Sequence, residues 1–430
     1  MSTPYKTFSS YTFGCKVNFA DTSIISRDLL KKGYSQVDFN QNPDIYIINT
    51  CSVTENADKK AIKLIKSINK NSPRSKILVT GCYAQLKPEE VSAIPGVKYV
   101  IGSNNKFNIS QILDNVEESN IVEKEKINKV TKFDISYSLN ERTRAFIKIQ
   151  DGCDYSCTYC TIPLARGQSR SFDVLDTLNT IKDVVNHGFQ EIVLSGINIG
   201  DFGNNNNENL EMLLYEIETI KNLKRYRISS IEPNLISDNL IKIISNSKKA
   251  LPHFHVPLQS GSDKILKKMK RRYTALDYKK VIKKITNLIP NVGIGVDVIV
   301  GFPGETEKDF KLTYNLIKEL DISYLHVFTY SKRSNTIASE MLDQVDDTLK
   351  INRRKELVKL SNKKNNDFIK NNINQSLEIL FENKEGKFWS GLSTNYIKVM
   401  AASNQSLKNK IKKVKLRHSY DNYVIGDIIG

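Results

Sequence analysis

The chain has 430 residues, of which 64 are Lys or Arg and 47 are Asp or Glu, so its net charge is +17. The basic excess favours a polyanionic partner such as nucleic acid, although a composition rich in Lys and Asn produces part of that excess on its own. The sequence shows neither an apolar leader after Met1 nor an apolar run of the ~18 residues that span a membrane, so we expect a cytoplasmic protein with no membrane partner.

The first segment, residues 1–125, alternates short apolar runs with helical patterns, which predicts a parallel α/β domain. The predicted strands are 11–13, 44–48 and 76–79, and the predicted helices are 19–32, 56–70 and 104–116. A cysteine follows each strand, namely Cys15, Cys51 and Cys82. Because the carboxyl ends of parallel strands share one edge of the sheet, we expect the three thiols to converge there. The alternative is three unrelated buried cysteines, which are expected inside strands rather than at strand exits.

Residues 117–140 are charged and irregular, which predicts a linker. The second segment, 141–366, repeats short apolar strands between amphipathic helices. The strands are predicted at 145–149, 191–194, 225–228, 253–256, 292–300 and 326–329. Six such strand–helix units predict a partial TIM-like (β/α)6 barrel, with the helices outside and the functional groups at the carboxyl ends of the strands.

A second cysteine group directly follows the first of these strands. Cys153, Cys157 and Cys160 are separated by three and then two residues in Asp-Gly-Cys-Asp-Tyr-Ser-Cys-Thr-Tyr-Cys. Three thiolates can hold three corners of a [4Fe-4S] cube, and a closed cluster normally uses four, so one iron would stay open for a small molecule. The alternative is a zinc knot with a distant fourth ligand, but zinc sites usually combine a C-x2-C pair with a second pair.

This spacing resembles that of the radical S-adenosylmethionine (SAM) superfamily. The resemblance implies that the open iron binds the amino and carboxyl groups of SAM, with Tyr159 near the adenine. It further implies that an electron donor drives cleavage of SAM to a 5′-deoxyadenosyl radical. Glycine-containing strand ends resemble the superfamily's SAM-contacting turns, at Gly196 in Leu-Ser-Gly and at Gly301, Pro303 and Gly304 in Gly-Phe-Pro-Gly.

Two carboxylates and two guanidiniums extend this predicted cofactor site. Glu232 follows a strand, where it is placed to accept ribose hydroxyls or, alternatively, to stabilise a helix N-terminus. Asp297 interrupts an apolar strand and, as a buried carboxylate, requires a partner, so it is either functional or paired with a local cation. Arg166 and Arg170 follow the cysteine loop and are candidates to bind the carboxylate of SAM or an RNA phosphate.

The third segment, 371–430, has the alternation of a small β-barrel. Lys413, Lys415 and Arg417 fall on one face of a predicted strand, and the apolar residues between them fall on the other. A basic face suits a phosphate backbone, although Lys on a strand edge also guards against aggregation. The predicted RNA contacts are these three residues together with Arg271 and Arg272 from a basic stretch of the second segment.

The order of the three segments resembles the radical SAM methylthiotransferases along essentially the whole chain. That family combines an N-terminal three-cysteine domain, a radical SAM barrel and a C-terminal β-barrel called the TRAM domain. The resemblance implies that Cys15, Cys51 and Cys82 hold a second [4Fe-4S] cluster, which carries the incoming sulfur. One SAM then methylates that sulfur and another supplies the radical, while the sequence leaves the sulfur donor unidentified.

The stretch Gly-Cys-Lys-Val-Asn at 14–18 resembles the bacterial branch that acts on N6-threonylcarbamoyladenosine at position 37, in the anticodon loop of tRNA. Lys16 and Val17 carry this assignment, because the other branches usually have Gln-Met or Pro-Lys at these positions. Isopentenyladenosine in tRNA and an Asp of a ribosomal protein remain alternative substrates. A non-catalytic iron–sulfur RNA-binding regulator remains the alternative of another class.

Overall fold

The structure, a computed structural model, describes residues 6–115, 121–123, 136–137, 143–421 and 423–429. The chain forms two compact units. Unit 1 comprises Met1–Leu139, Phe146–Phe172 and Ser331–Ser339, and unit 2 comprises Asn140–Ala145, Asp173–Tyr330 and Glu340–Gly430. Both cysteine groups therefore belong to unit 1.

Unit 1 contains a parallel sheet flanked by helices, as the sequence predicts. Its strands are β1 (Thr7–Thr12), β2 (Ser35–Gln36), β3 (Ile45–Thr50), β4 (Lys76–Gly81), β5 (Val97–Ile101) and β6 (Ile121–Glu123). Its helices are α1 (Lys16–Lys31), α2 (Glu55–Asn71), α3 (Cys82–Leu86), α4 (Pro88–Ser92) and α5 (Ile109–Asn115). The strands lie in the order β2-β1-β3-β4-β5-β6, and all of these pairs are parallel.

The central strand β3 divides two apolar cores. Ile45 and Ile47 pack with residues of α1, whereas Tyr46 and Ile48 pack with residues of α2. This alternation follows from the period of two along a strand, and it leaves β3 buried along its whole length because helices cover both faces of the sheet.

The interpretation of 117–140 as a linker is wrong where the structure describes it. Residues 121–123 form β6, which extends the sheet by pairing with β5. Residues 136–137 form β7 (Ser136–Tyr137), which pairs antiparallel with β8 (Arg144–Lys148). Such short strands are held by backbone hydrogen bonds to a neighbour, so their side chains show little of the alternation that predicts a strand.

The cysteine loop of unit 1 is closed by a short antiparallel pair. This pair consists of β9 (Gln150–Asp151) and β10 (Arg170–Ser171), and α6 (Ile162–Arg166) lies between its two strands. Gly152 directly precedes the loop with a φ of +72°, and a Cβ there would lie 1.9 Å from the carbonyl oxygen of Gln168. Glycine is required at this position because any side chain would force the two strands apart.

Unit 2 alternates helices with parallel strands. Its elements before the last domain are α7 (Val174–Asn186), β11 (Glu191–Ser195), α8 (Leu210–Ile217), β12 (Arg225–Ile228), α9 (Asp238–Asn246), β13 (His253–His255), α10 (Asp263–Lys268), α11 (Ala275–Leu288), β14 (Gly293–Val300), α12 (Glu307–Glu319), β15 (Tyr324–Thr329) and α13 (Asp347–Asn372). Parallel ladders join β11 to β12, β13 to β14 and β14 to β15. Between the segments of β12 and β13, single bridges join Tyr226 to Ala250 and Ser230 to His255. The predicted strand–helix succession is confirmed.

The last five strands close into the small barrel that the sequence predicts. They are β16 (Ser376–Glu385), β17 (Phe388–Ser393), β18 (Lys398–Ala402), β19 (Ile411–Tyr420) and β20 (Tyr423–Ile428), in the order β16-β17-β18-β20-β19. Trp389, Val414 and Leu416 are among the residues of its core. Across the described residues, no helix has the length and apolar character needed to cross a bilayer.

A buried carboxylate ties the small barrel to the strands of unit 2. Glu191 is fully buried and accepts hydrogen bonds from the Nε atoms of Arg225 at 2.7 Å and Arg227 at 2.8 Å. The same guanidiniums donate to the carbonyl oxygens of Leu392 and Ser393 in β17. Burial alone would raise the pKa of Glu191, but Arg227 and Arg225 outweigh it and lower that pKa, so Glu191 is ionised.

Glu191→Gln is expected to destabilise the small barrel by about 3–5 kcal/mol, because it leaves two buried guanidiniums without their anion. Trp389, the single tryptophan of the chain, lies in the barrel core, so urea unfolding followed by its fluorescence measures the loss. Glu319→Gln, which removes one member of a solvent-exposed ion pair, is the control and should cost no more than ~0.5 kcal/mol. Equal losses in the two variants would contradict the role assigned to Glu191.

Candidate active site

The three N-terminal cysteines follow three neighbouring strands. Cys15 lies at the N-terminus of α1, Cys51 directly follows β3, and Cys82 begins α3 directly after β4. Since β1, β3 and β4 pair in parallel, their carboxyl ends bring the three loops to one edge of the sheet. Burial, together with the neighbouring thiols of Cys82 and Cys15, raises the pKa of the Cys51 thiol to about 12.

Two glycines allow these loops to approach one another. Gly14 has a φ of +93°, and a Cβ there would lie 2.6 Å from Cys51 Cβ and 2.8 Å from Cys51 Sγ. Gly81 has a φ of +92°, and a Cβ there would lie 2.4 Å from the carbonyl oxygen of Thr50. Each glycine therefore directly precedes a cysteine, at a point where backbone conformation and space both exclude a side chain.

Asn18 fixes the first two loops relative to each other. Its Nδ2 donates to the carbonyl oxygen of Phe13 at 2.8 Å and to that of Thr50 at 3.1 Å. These carbonyls belong to the segments that lead into Cys15 and Cys51. Asn18 is the last residue of the Gly-Cys-Lys-Val-Asn stretch, so this stretch has a structural function in addition to its value for assigning the branch.

The second cysteine group carries backbone hydrogen bonds to sulfur. The amide of Tyr155 donates to Cys153 Sγ at 3.4 Å, and that of Ile162 donates to Cys160 Sγ at 3.5 Å. Amide donors of this kind stabilise thiolates that ligate an iron–sulfur cluster and tune its potential. Tyr159, predicted to lie near the adenine of SAM, lies in the same loop and is half-buried.

Arg166 connects the two cysteine groups. Its Nη1 donates to Asp151 Oδ1 at 2.8 Å, two residues before Cys153, and its Nη2 donates to Asn18 Oδ1. The side chain is 3% exposed, so Arg166 is a buried structural cation and is not placed to bind a SAM carboxylate or an RNA phosphate. Arg170 is likewise held within unit 1, because its Nη1 donates to the carbonyl oxygens of Arg166 and Gln168.

The sequence did not reveal the other members of this buried network. Asp21 in α1 accepts hydrogen bonds from Lys106 Nζ at 2.7 Å and Lys148 Nζ at 2.6 Å. Burial alone would raise the pKa of Asp21, but Lys106, Lys148 and Arg166 outweigh it and lower that pKa. These ion pairs join residues that are up to 127 positions apart along the chain, so no local pattern indicates them.

A second connection runs through Ser52, the residue after Cys51. Its carbonyl oxygen lies 3.5 Å from Thr161 Oγ1, and Thr161 follows Cys160. Arg333, from the Ser331–Ser339 stretch of unit 1, donates to Ser52 Oγ at 2.5 Å and to Asp58 Oδ2 at 2.8 Å. The residues that follow Cys51 and Cys160 are thus held in contact within one compact unit.

The residues present fit two iron–sulfur clusters. Each group offers three thiols. The N-terminal thiols lie on loops whose close approach requires glycine, and the thiols of the second group lie on a loop with amide donors to sulfur. Thiolates are the ligands of such clusters, and three per group leave one iron of each cube without a cysteine. A zinc knot would need a fourth ligand, whereas all six cysteines of the chain are already divided between the two groups.

The predicted SAM contacts in unit 2 follow the ends of strands, except Asp297, which lies inside β14; they are Gly196, Glu232, Asp297, Gly301, Pro303 and Gly304. Asp297 Oδ1 lies 3.0 Å from His255 Nε2 and 3.0 Å from His326 Nδ1. Burial would raise the pKa of Asp297, but the hydrogen bonds from the two histidines outweigh it and lower that pKa. The carboxylate is therefore an ionised acceptor, and it has the local partners that its buried position requires.

Glu305 and Arg353 stabilise the turn that contains Gly301, Pro303 and Gly304. The amide of Gly301 donates to Glu305 Oε2 at 2.7 Å, and the same oxygen lies 2.7 Å from Nη1 of the buried Arg353. Gly301 and Gly304 have φ angles of +73° and +79°, which favour glycine.

The predicted RNA contacts have different environments. Arg271 is ion-paired with Glu232 and its side chain is 3% exposed, so it is not available at the surface for a phosphate. The sequence does not reveal the ion pair with Glu232, because Arg271 and Arg272 form one basic stretch there. Arg272 is exposed, and in β19 Lys413 and Arg417 are exposed and Lys415 half-buried, opposite the buried apolar residues of that strand.

The fold and the two cysteine groups define a radical SAM enzyme with an additional N-terminal cysteine site. The radical SAM superfamily model matches residues 147–317, and the uncharacterized protein family UPF0004 matches residues 7–102. The radical SAM methyltransferase TsrM from Kitasatospora setae has a similar fold, with a TM-score of 0.60 and 13% identity over 78% of this chain and 77% of that chain.

The chain is 40% identical to the threonylcarbamoyladenosine tRNA methylthiotransferase MtaB of Bacillus subtilis, over 95% of this chain and 93% of that protein. It is 36% identical to the tRNA-2-methylthio-N(6)-dimethylallyladenosine synthase of Clostridium novyi, over 88% of this chain and 86% of that protein. The chain therefore belongs to the radical SAM methylthiotransferases, in the MtaB branch. It is a transferase whose cofactors are SAM and two [4Fe-4S] clusters.

Gly14→Ala is expected to abolish loading of the N-terminal cluster, because the added methyl group would overlap Cys51. Iron analysis of the reconstituted protein should then give about four irons instead of about eight, with the other cluster retained. Gly33→Ala is a matched control, because Gly33 has a similar φ of +86° but open space around the added Cβ. This control should lose roughly 1 kcal/mol of stability and no iron. Full loading of Gly14→Ala would contradict the close approach of the two loops.

Proposed function

We propose that this enzyme converts N6-threonylcarbamoyladenosine at position 37 of tRNA, in the anticodon loop, to its 2-methylthio form. The observation that carries the proposal is the placement of both cysteine groups in one compact unit, joined through Arg166 and Asn18. The threonylcarbamoyladenosine substrate is supported by the activity for which the relative that is 40% identical is named, together with the Lys16-Val17 pair. The relative named for dimethylallyladenosine is 36% identical, which keeps that base as the second candidate.

The six cysteines divide the chemistry between them. Cys153, Cys157 and Cys160 would hold the cluster that binds SAM, and Cys15, Cys51 and Cys82 would hold the cluster that carries sulfur. Together, the bound cofactors supply a radical able to remove hydrogen from an unactivated C–H bond, and a methylthio group to replace that hydrogen. The protein residues orient these groups, and two of the three N-terminal thiols, Cys51 and Cys82, are buried from water while Cys15 is exposed.

We assign the SAM contacts to Tyr159, Gly196, Glu232, Asp297, Gly301, Pro303 and Gly304. The carboxylate of Asp297 is ionised, so it is suited to accept hydrogen bonds from hydroxyl or ammonium groups. Glu232 is held by Arg271, which fixes the orientation of its carboxylate. A reducing partner must supply the electron that cleaves SAM, and a separate donor must replace the sulfur consumed in each turnover.

We assign tRNA binding to the exposed basic face of β19, formed by Lys413, Lys415 and Arg417, with a further contribution from Arg272. Val414 and Leu416 point into the barrel core, so the cations that alternate with them along β19 are held on the outer surface of a rigid strand. A rigid row of cations suits the phosphate backbone, which carries most of the affinity for a nucleic acid.

Deletion of the gene is expected to remove the 2-methylthio group from threonylcarbamoyladenosine while the mark on isopentenyladenosine persists. Mass spectrometry of nucleosides from total tRNA measures both. Complementation with the wild-type chain should restore the mark, and complementation with Cys157→Ala should not, because that change removes one of three thiol ligands. Loss of the isopentenyladenosine mark alone would reassign the branch. If both marks persist and the reduced protein forms no 5′-deoxyadenosine from SAM, the regulator hypothesis replaces the enzymatic one.

Replacement of Lys413, Lys415 and Arg417 by Gln is expected to weaken tRNA binding and to flatten its dependence on salt. Each lost phosphate contact should reduce the slope of log K against log salt by about 0.7–0.9, giving a total of roughly 2–3. The control replaces Lys279, Lys283 and Lys284, three cations of α11 that pair with exposed acids. An unchanged slope in the first variant, or an equal change in both, would contradict the assignment.

A further inference from the structure

Unit 1 contains an excess of buried positive charge beside the N-terminal cysteines. Lys106, Lys148 and Arg166 have side chains that are 5%, 1% and 3% exposed, and they face two carboxylates, Asp21 and Asp151, which are each 1% exposed. Three cations against two anions leave one positive charge in excess. Arg170, with 12% exposure and 3.5 Å from Asp151, adds a further cation at the edge of this cluster.

The buried cations lie beside the loops of the N-terminal cysteines. Ser103 joins α6, which contains Arg166, to α3, which begins at Cys82: its Oγ donates to the carbonyl oxygen of Ala165 at 2.7 Å, and its amide donates to Gln85 Oε1 at 2.7 Å. Arg166 also contacts Asn18, which holds the loops of Cys15 and Cys51 together. The cations are therefore fixed relative to all three cysteine loops.

The excess positive charge of Lys106, Lys148 and Arg166 favours an anionic group at the N-terminal cysteines. Buried charges are costly unless they are compensated, and the described side chains around Arg166 supply too little negative charge. Three thiolates on a [4Fe-4S] cluster give that group a net negative charge, which increases when the cluster gains an electron. Net charge near a cluster is one of the factors that set its reduction potential.

We propose that Lys106, Lys148 and Arg166 act as positioning residues that stabilise the reduced state of the cluster at Cys15, Cys51 and Cys82 and so raise its reduction potential. This inference rests on the proposed function. Transfer of a methylthiolate to a carbon radical leaves one electron over, because the new C–S bond needs two of the three electrons that the partners bring. A cluster whose reduced state is stabilised by fixed cations is suited to accept that electron.

The test uses two substitutions of opposite sign in the full-length chain. Lys106→Gln removes a cation and Asp21→Asn removes an anion, and these two residues are ion-paired at 2.7 Å, so both changes fall at the same place. Cys153, Cys157 and Cys160 are changed to Ala in all samples, so that the N-terminal group alone can be loaded. A redox titration followed by electron paramagnetic resonance then gives the potential of that cluster.

Lys106→Gln is expected to shift the redox equilibrium at least tenfold toward the oxidised cluster. For a one-electron couple, this shift lowers the reduction potential by about 59 mV. Asp21→Asn is expected to shift the potential upward by a similar amount. A merely structural role would change loading or heterogeneity but would not produce shifts of opposite sign. The matched controls Lys279→Gln and Glu319→Gln make the same changes of charge in an exposed ion pair and should leave the potential unchanged.

Iron content and circular dichroism establish that each variant is folded and loaded. If Lys106→Gln does not load, Lys148→Gln takes its place, because Lys148 pairs with the same carboxylate. Fully loaded variants whose potentials do not move, or move in the same direction, would overturn the inference and leave the proposed function intact. Failure of the unsubstituted N-terminal group to load a cluster would instead refute the second cluster site itself.

Discussion

The ion pair between Arg166 and Asp151 is the interaction on which the candidate site depends. Asp151 leads into Cys153, and the same guanidinium reaches Asn18, whose amide holds the loops before Cys15 and Cys51. One side chain therefore determines the relative positions of two cysteine groups that lie far apart in sequence. A buried bidentate cation suits this function because it makes several directed hydrogen bonds from one rigid plane.

The glycines explain why the thiols can approach one another at all. Gly14 and Gly81 directly precede Cys15 and Cys82. At each glycine, atoms of a neighbouring loop occupy the space that a Cβ would fill. Gly152 has the corresponding function before Cys153. Cys15, Cys82 and Cys153 are therefore each preceded by a glycine that allows the cysteine loop to pack against its neighbour.

The sequence predicted the parts of the site that follow from local pattern. The strand exits at Cys15, Cys51 and Cys82 could be predicted, because apolar periodicity places the strands and parallel topology places their ends. The partners of Arg166 and Arg271 could not be predicted, since both cations look like exposed basic residues until the fold brings Asp151 and Glu232 to them. Short strands such as β6 were also missed, because backbone pairing rather than side-chain alternation defines them.

The net charge of +17 has two physically different components. Arg166, Arg227 and Arg353 are buried beside carboxylates, so they stabilise the fold and cannot contribute to attraction of a polyanion at close range. The cations of β19 lie on the outer face of the barrel, because the strand packs its apolar residues inward, and among them Arg417 also donates to Asp427 Oδ2 at 2.7 Å. A count of basic residues therefore overstates the RNA-binding surface, and burial separates the charges that organise the cysteine groups from those that can meet a phosphate.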